Sequence, residues 1–241
     1  VSSVNISCGF HAGDPLTIKE ALLKAKEKNV VVGAHIGFHD IQGFGYRQMD
    51  LDSDELDALV TYQVGAIMTF AKAYHMEIEH VRPHGAMYRQ ASEDIEFSRT
   101  IAKAIKKCSK WLVYYGATGD NLAQIAEEEN IQVAHEVHLE KIYDDKGNID
   151  FSARDLENTG ISIQRLKDLI QNSQVTNNVG GKTIVRADSI HFSNKLSNAK
   201  ELIAQAYDIV EPLPYNYRNA QKSGWVCLLY TSPSPRDPKT S

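Results

Sequence analysis

Apolar residues fall into two alternating rhythms along this chain. Short apolar-rich segments occupy residues 4–8, 30–35, 111–115 and 131–135, and the more polar 79–82 reads as one further short strand. Such apolar segments read as strands covered on both faces. Between them the spacing lengthens to three and four. Ile18, Ala21, Leu22 and Ala25 mark one helical face, and Leu56, Leu59, Val60, Val64, Ile67, Phe70, Ala71 and Tyr74 mark a longer one. Phe97, Ile101, Ala104 and Ile105 do the same within 95–108, and 120–129 continues the pattern.

The polar punctuation agrees with these periods. Asp14 stands where an N-cap is needed and Pro15 suits the first helical turn; Asp52 and Glu55 have the spacing of a capping box. Residues 37–50 carry Gly, aromatic and charged residues without a period and read as a long loop, a kind that tends to be functional. After a polar insertion at 143–157 come an expected helix at 163–172, a strand at 183–192, a helix at 198–207 and a last strand at 209–213. Strands alternating with helices imply an α/β fold with a parallel sheet, and so many repeats favour a (β/α) barrel over a doubly wound open sheet.

Composition narrows the class. The 241 residues, 42% hydrophobic and 24% charged, suit one sizeable core, placed at 1–213. Residues 214–241 break the pattern with an isolated apolar cluster and a Ser/Pro/Arg-rich end, so the reading is a disordered or read-through tail outside the fold. A net charge of −5 without a long basic run argues against a nucleic-acid surface. Three cysteines without C-x-x-C spacing suggest a reducing compartment, so the expected location is cytoplasmic. No run approaches the ~20 apolar residues of a membrane span.

The polar residues then acquire a common address. His11 follows the first strand, His35 ends the second, Arg82 and His84 end the third and Glu136 follows the fifth, all at carboxyl ends of strands. In a barrel those ends form one rim, where barrel enzymes work. Convergent imidazoles can bind a divalent metal, with His11, His35 and Asp14 as candidate ligands, or one His can deprotonate water near neutral pH. Spacing leaves both open, and Asp14 already has a role as a cap. His39, His75, His80, His135, His138 and His191 read as surface, helix-end or packing residues. Gly43-Phe44-Gly45-Tyr46-Arg47 sets two permissive glycines beside a guanidinium able to clamp a carboxylate, and Pro83-His84-Gly85 reads as a turn.

Five segments in order carry a resemblance: Asn5 to Pro15 (NISCGFHAGDP), Gly33 to Gly37 (GAHIG), Gly43 to Arg47 (GFGYR), Tyr62 to Ala66 (YQVGA) and Arg82 to Tyr88 (RPHGAMY). Together they resemble the 5-oxoprolinase A-subunit family, also called the LamB/YcsF family or lactam-utilisation protein B, over nearly all the chain to residue 213. The resemblance implies a distorted barrel of the glycoside hydrolase/deacetylase type. It also implies a part in the ATP-dependent opening of the lactam 5-oxoproline to glutamate, alongside two partner subunits. On that reading His11, Asp14 and His84 are catalytic, while Arg47, Arg82, Tyr88 and Gly45 bind substrate, with Arg47 or Arg82 as the carboxylate clamp. The family opens with an acidic Asp-Leu-Asn-Cys-Asp strand, and this sequence starts after it, so a missing first strand is expected. Arg82 replaces the family's Lys, His138-Leu139-Glu140-Lys141 its Phe-Ala-Asp-Arg, and Ser193-Asn194-Lys195 its late His-Gly-Asp. Two other readings remain: a metal-dependent deacetylase-like hydrolase of carbohydrate metabolism, and a non-catalytic binding subunit of a hydrolase complex.

Overall fold

The computed structural model describes residues 1–156, 161–193 and 196–210, and the backbone of 226–230. The chain divides into two compact units. The larger comprises Val4–Gly116 and Asn121–Val133; the smaller comprises Val1–Ser3, Ala117–Asp120 and the described residues between Ala134 and Tyr230.

In the larger unit the strands β1 (Ser3–Ser7), β2 (Val31–Ile36), β3 (His80–Pro83) and β4 (Val113–Ala117) are neighbours in that order. Parallel register is explicit for β2 on β3, with His35 opposite Arg82, and for β3 on β4, with His80 opposite Val113. The connections are helices α1 (Pro15–Glu27), α2 (Ser53–Ala73), α3 (Gly85–Glu93) and α4 (Ile95–Cys108), with α5 (Asp120–Glu128) after β4. Asp14 caps α1 by accepting from the amides of Leu16 and Thr17, and Pro15 opens the helix where its missing N–H costs nothing. Asp52 and Glu55 form a complete capping box on α2. Leu22, Val60, Val64, Ile101, Ala104 and Ile105 are fully buried. Each of the larger of these side chains contributes roughly 1.5–3 kcal/mol by leaving water. The core lies between the sheet and these helix faces, with α2 packed along α4.

The smaller unit repeats the plan. Strands β5 (Val133–His138), β8 (Ser189–Phe192) and β9 (Val226–Tyr230) are parallel neighbours, and α6 (Ile163–Asn172) and α7 (Ala199–Ile209) accompany them. The strand expected at 183–192 divides in two. Its first part, β7 (Lys182–Ile184), pairs antiparallel with β6 (Gln174–Thr176), and polar Arg186 and Asp188 separate it from β8. The hairpin turn is held by Asn177, whose side-chain oxygen accepts from the amide of Gly181 at 2.6 Å. Ile209, expected to begin the last strand, is the final residue of α7, and 211–213 lie outside the described residues. So do Asn194 and Lys195, and the tail except for β9. Parallel strands with helical connections make the fold class α/β of the (β/α)-barrel type.

Candidate active site

Three strands of the larger unit each deliver one imidazole at the carboxyl end. His11 lies four residues beyond β1, His35 is the penultimate residue of β2, and His84 follows β3 directly. All three are buried. The rings of His11 and His84 stack at 4.1 Å between centroids and 14° between planes, and His35 meets both edge-on at 5.4 and 4.8 Å. One donor atom from each ring lies within 4.8 Å of the other two.

The outer nitrogens are fixed by hydrogen bonds. His35 Nδ1 lies 3.1 Å from the Arg82 carbonyl, His84 Nε2 lies 2.7 Å from the Phe44 carbonyl, and His11 Nε2 lies 2.9 Å from Ser7 Oγ. Carbonyl oxygens only accept, so the first two nitrogens carry hydrogens, a tautomer assigned from the network. In neutral rings this leaves the lone pairs of His35 Nε2 and His84 Nδ1 turned toward each other. His35 Nε2 and His84 Nδ1 are 3.2 Å apart, and His11 Nδ1 is buried with no hydrogen-bond partner among the described residues. Lone pairs in that arrangement repel unless a proton or a cation lies among them. Burial, reinforced by His84, holds His11 well below the usual histidine range. The same burial, with His84, Arg82 and His11 adding to it, lowers His35. Both are neutral near pH 7, the state that binds metals.

This donor set fits a divalent ion. Three buried imidazoles bring one ligating nitrogen each within 4.8 Å of the others, and His35 and His84 are oriented by hydrogen bonds to main-chain carbonyls. His11, His35 and His84 would hold the ion, which would polarise an amide carbonyl or lower the pKa of a bound water. Asp14 is not in the group: it is exposed, and both carboxylate oxygens are used on Leu16 and Thr17. His84 takes the place that the sequence reading gave to Asp14.

The loop between β2 and α2 closes over these rings because Asp40 organises it. The Asp40 carboxylate is buried and accepts from the amides of Gly43 at 2.9 Å and Arg47 at 3.3 Å, and from the Arg47 guanidinium through Nε at 2.8 Å and through a second nitrogen. Those Arg47 hydrogen bonds pull the carboxyl down to about 2. The loop turns at Phe44 and Gly45, both at positive φ, and the Gly45 carbonyl accepts from the Ala86 amide at 2.9 Å. From the other side Gln63 of α2 clasps the Gly37 peptide, accepting from its N–H at 2.9 Å and donating to its C=O at 3.0 Å. A Cβ on Gly37 would lie 2.4 Å from His11 Nδ1, so the clasp secures the backbone that leaves room for that ring.

The expected clamp residues differ in setting. The Arg47 side chain is 60% exposed beside Asp40, leaving guanidinium donors turned to solvent. Arg82 is buried, donates to the Pro83 carbonyl and lies 4.5 Å over the Tyr88 ring. Tyr88 is itself buried. Asp40, Ser7 and Gln63 were missed as supports: Asp40 lies in no motif, and Ser7 and Gln63 were legible only inside their signatures. A second group was also missed. In the smaller unit Glu136, His138, Glu140 and His191 are buried together, although His138 and His191 read as packing residues in sequence. Glu136, His138 and Glu140 alternate on and just beyond one strand, a period-two pattern that places side chains on one face.

Parallel strands with helical connections, and a buried histidine cluster at strand ends, define a protein of the (β/α)-barrel class. The LamB/YcsF family model matches residues 1–222, and the chain belongs to that family. Relatives named as the A subunit of 5-oxoprolinase include one from Staphylococcus carnosus (strain TM300), 34% identical over 209 residues, covering 85% of this chain and 82% of the relative. Another, from Thermococcus onnurineus (strain NA1), is 33% identical over 214 residues, covering 88% and 84%. Among solved structures, a lactam utilization protein from Thermus thermophilus superposes with a TM-score of 0.78 at 35% identity, covering 88% of this chain and 85% of that one. Among the described residues no helix is long and apolar enough to cross a membrane.

Proposed function

We propose that this chain is the lactam-handling subunit of an ATP-dependent 5-oxoprolinase, with His11, His35 and His84 as its reaction centre. The observation that carries the reading is the convergence of three buried imidazoles from three strand ends, one ligating nitrogen of each within 4.8 Å of the others. A five-membered lactam is a stable amide, so opening it needs both an activated carbonyl and a delivered water. Phosphorylation of the lactam oxygen by ATP, with partner subunits supplying the nucleotide site, makes that oxygen a leaving group. His84, fixed by the Phe44 carbonyl, and His11, fixed by Ser7, then lie where a proton can be taken from water and passed to the ring nitrogen. Arg47 is the better clamp for the substrate carboxylate, because its guanidinium is exposed and pre-aimed by Asp40 while Arg82 is buried against Tyr88.

The test is glutamate release from 5-oxoproline, with ATP consumption, by the protein reconstituted with its partner subunits. Replacing His84 with Ala is expected to reduce kcat by about 10²-fold or more, within the range for a general acid–base group. Arg47→Lys is expected to raise KM for 5-oxoproline with a smaller change in kcat, since it retains charge and loses the fork. No turnover by the parent complex, or full turnover by His84→Ala, would sink the proposal. The three-histidine donor set also supports a metal-dependent, deacetylase-like hydrolysis. That alternative requires activity without ATP and its loss on treatment with EDTA.

A further inference from the structure

The smaller unit holds a second set of ligating side chains that lactam opening leaves unused. His138 ends β5, Glu140 follows two residues later, and His191 lies on the neighbouring strand β8 in direct register with His138. All three are buried, and one donor atom from each lies within 4.8 Å of the others. The His138 and His191 rings are 4.3 Å apart between centroids. Glu140 Oε1 is 3.2 Å from His138 Nδ1 and 3.6 Å from His191 Nδ1. Behind them, Glu136 Oε2 is 2.9 Å from His138 Nε2.

We propose that His138, Glu140 and His191 form a binding site for a divalent transition-metal ion, with Glu136 as its outer partner. When Glu136 accepts the Nε2 hydrogen of His138, the ring turns its Nδ1 lone pair toward Glu140 and His191. This is the carboxylate–histidine arrangement that orients metal-bound imidazoles. The independent sign of a ligand is on Glu140. Its Oε2 is buried and has no hydrogen-bond partner among the described residues, a costly state for a carboxylate that a bound cation would relieve. Two imidazole nitrogens and one carboxylate suit zinc, iron(II), cobalt or manganese, whereas calcium and magnesium favour shells of oxygen. Without an ion, the same residues can form only an imidazolium held between carboxylates, with Arg165 as the nearby positive charge acting on Glu140.

The site can be read separately from the three-histidine centre by using the full chain carrying His84→Ala, stripped with EDTA and titrated with cobalt(II). Binding of one equivalent with visible d–d absorption is expected, and the ion should raise the unfolding midpoint. Glu140→Gln and His191→Gln, added singly and checked for folding by circular dichroism, should each weaken binding at least about 10-fold. Glu136→Gln should weaken it roughly 10- to 100-fold, as for other outer partners. X-ray absorption at the cobalt edge of the His84→Ala protein needs no further substitution, and imidazole scattering in the first shell is expected. No cobalt bound, a shell without imidazole, or unchanged affinity in the folded Gln variants would overturn the proposal. Because the readout is ion binding, failure of the glutamate-release assay leaves this result standing, and the reverse also holds.

Discussion

A methyl group at position 45 would lie 2.7 Å from Cδ2 of His84 and 2.8 Å from Cβ of His11, on a backbone whose φ is +74°. Gly45→Ala therefore meets two obstacles, displaced rings and a left-handed conformation. It is expected to destabilise the protein by about 1–3 kcal/mol in urea unfolding and to depress turnover further than stability alone explains. Equal losses in the two measurements would mean that the rings are not held by this contact. Asp40 gives a pH signature. Its folded pKa, about 2 through the Arg47 hydrogen bonds, lies below the ordinary carboxylate value of 3.8. Its contribution to stability is thus complete above the unfolded value and disappears as pH falls toward 2. Unfolding midpoints measured between about pH 5 and pH 2 should fall more steeply in the parent than in Asp40→Asn, and parallel curves would refute the assignment. At this scale the sequence was partly legible. His11, His35 and His84 could be placed because each sits at the carboxyl end of an expected strand, but Asp40 could not. Its importance comes from which amides a loop folds toward it, and that has no period.

Helix ends and helix faces were readable where local chemistry settles them. The Asp52–Glu55 box and the Asp14–Pro15 start form as their residue types require. Asp52→Ala is expected to cost about 1 kcal/mol, seen as a lower urea midpoint with an unchanged slope. Ile101, fully buried on α4, should cost about 2–5 kcal/mol when cut to Ala, and a value under about 1 kcal/mol would show that the α2–α4 layer collapses around the gap. The elements that escaped have identifiable reasons. Helix α3 is only nine residues long and begins at a glycine after Pro83-His84, which reads as a turn. The β6–β7 hairpin is short and partly exposed, so no alternation announces it. Its Asn-Asn-Val-Gly-Gly turn was the available signal.

For the molecule as a whole, the α/β class followed from counting alternations, because parallel strands must be covered on both faces and long crossovers must be helical. The partnership of His138 and His191 could not be counted in that way. Fifty-three positions separate them in sequence, and only strand register brings them side by side. Protection of the larger unit's interior can be checked chemically at Cys8, whose thiol burial pushes up to about 12. Iodoacetamide at about pH 8 should leave the Cys8 peptide unmodified until guanidinium unfolds the chain, with mass spectrometry as the readout. Labelling at native rates typical of exposed thiols would show that β1 opens locally. The anchor of His84 carries one more implication. It is a main-chain oxygen, that of Phe44, which any amino acid would supply. Position 44 can therefore trade its ring for another residue that accepts a left-handed backbone, reshaping the apolar edge now set against His11 and His84 without removing the oxygen that aims His84.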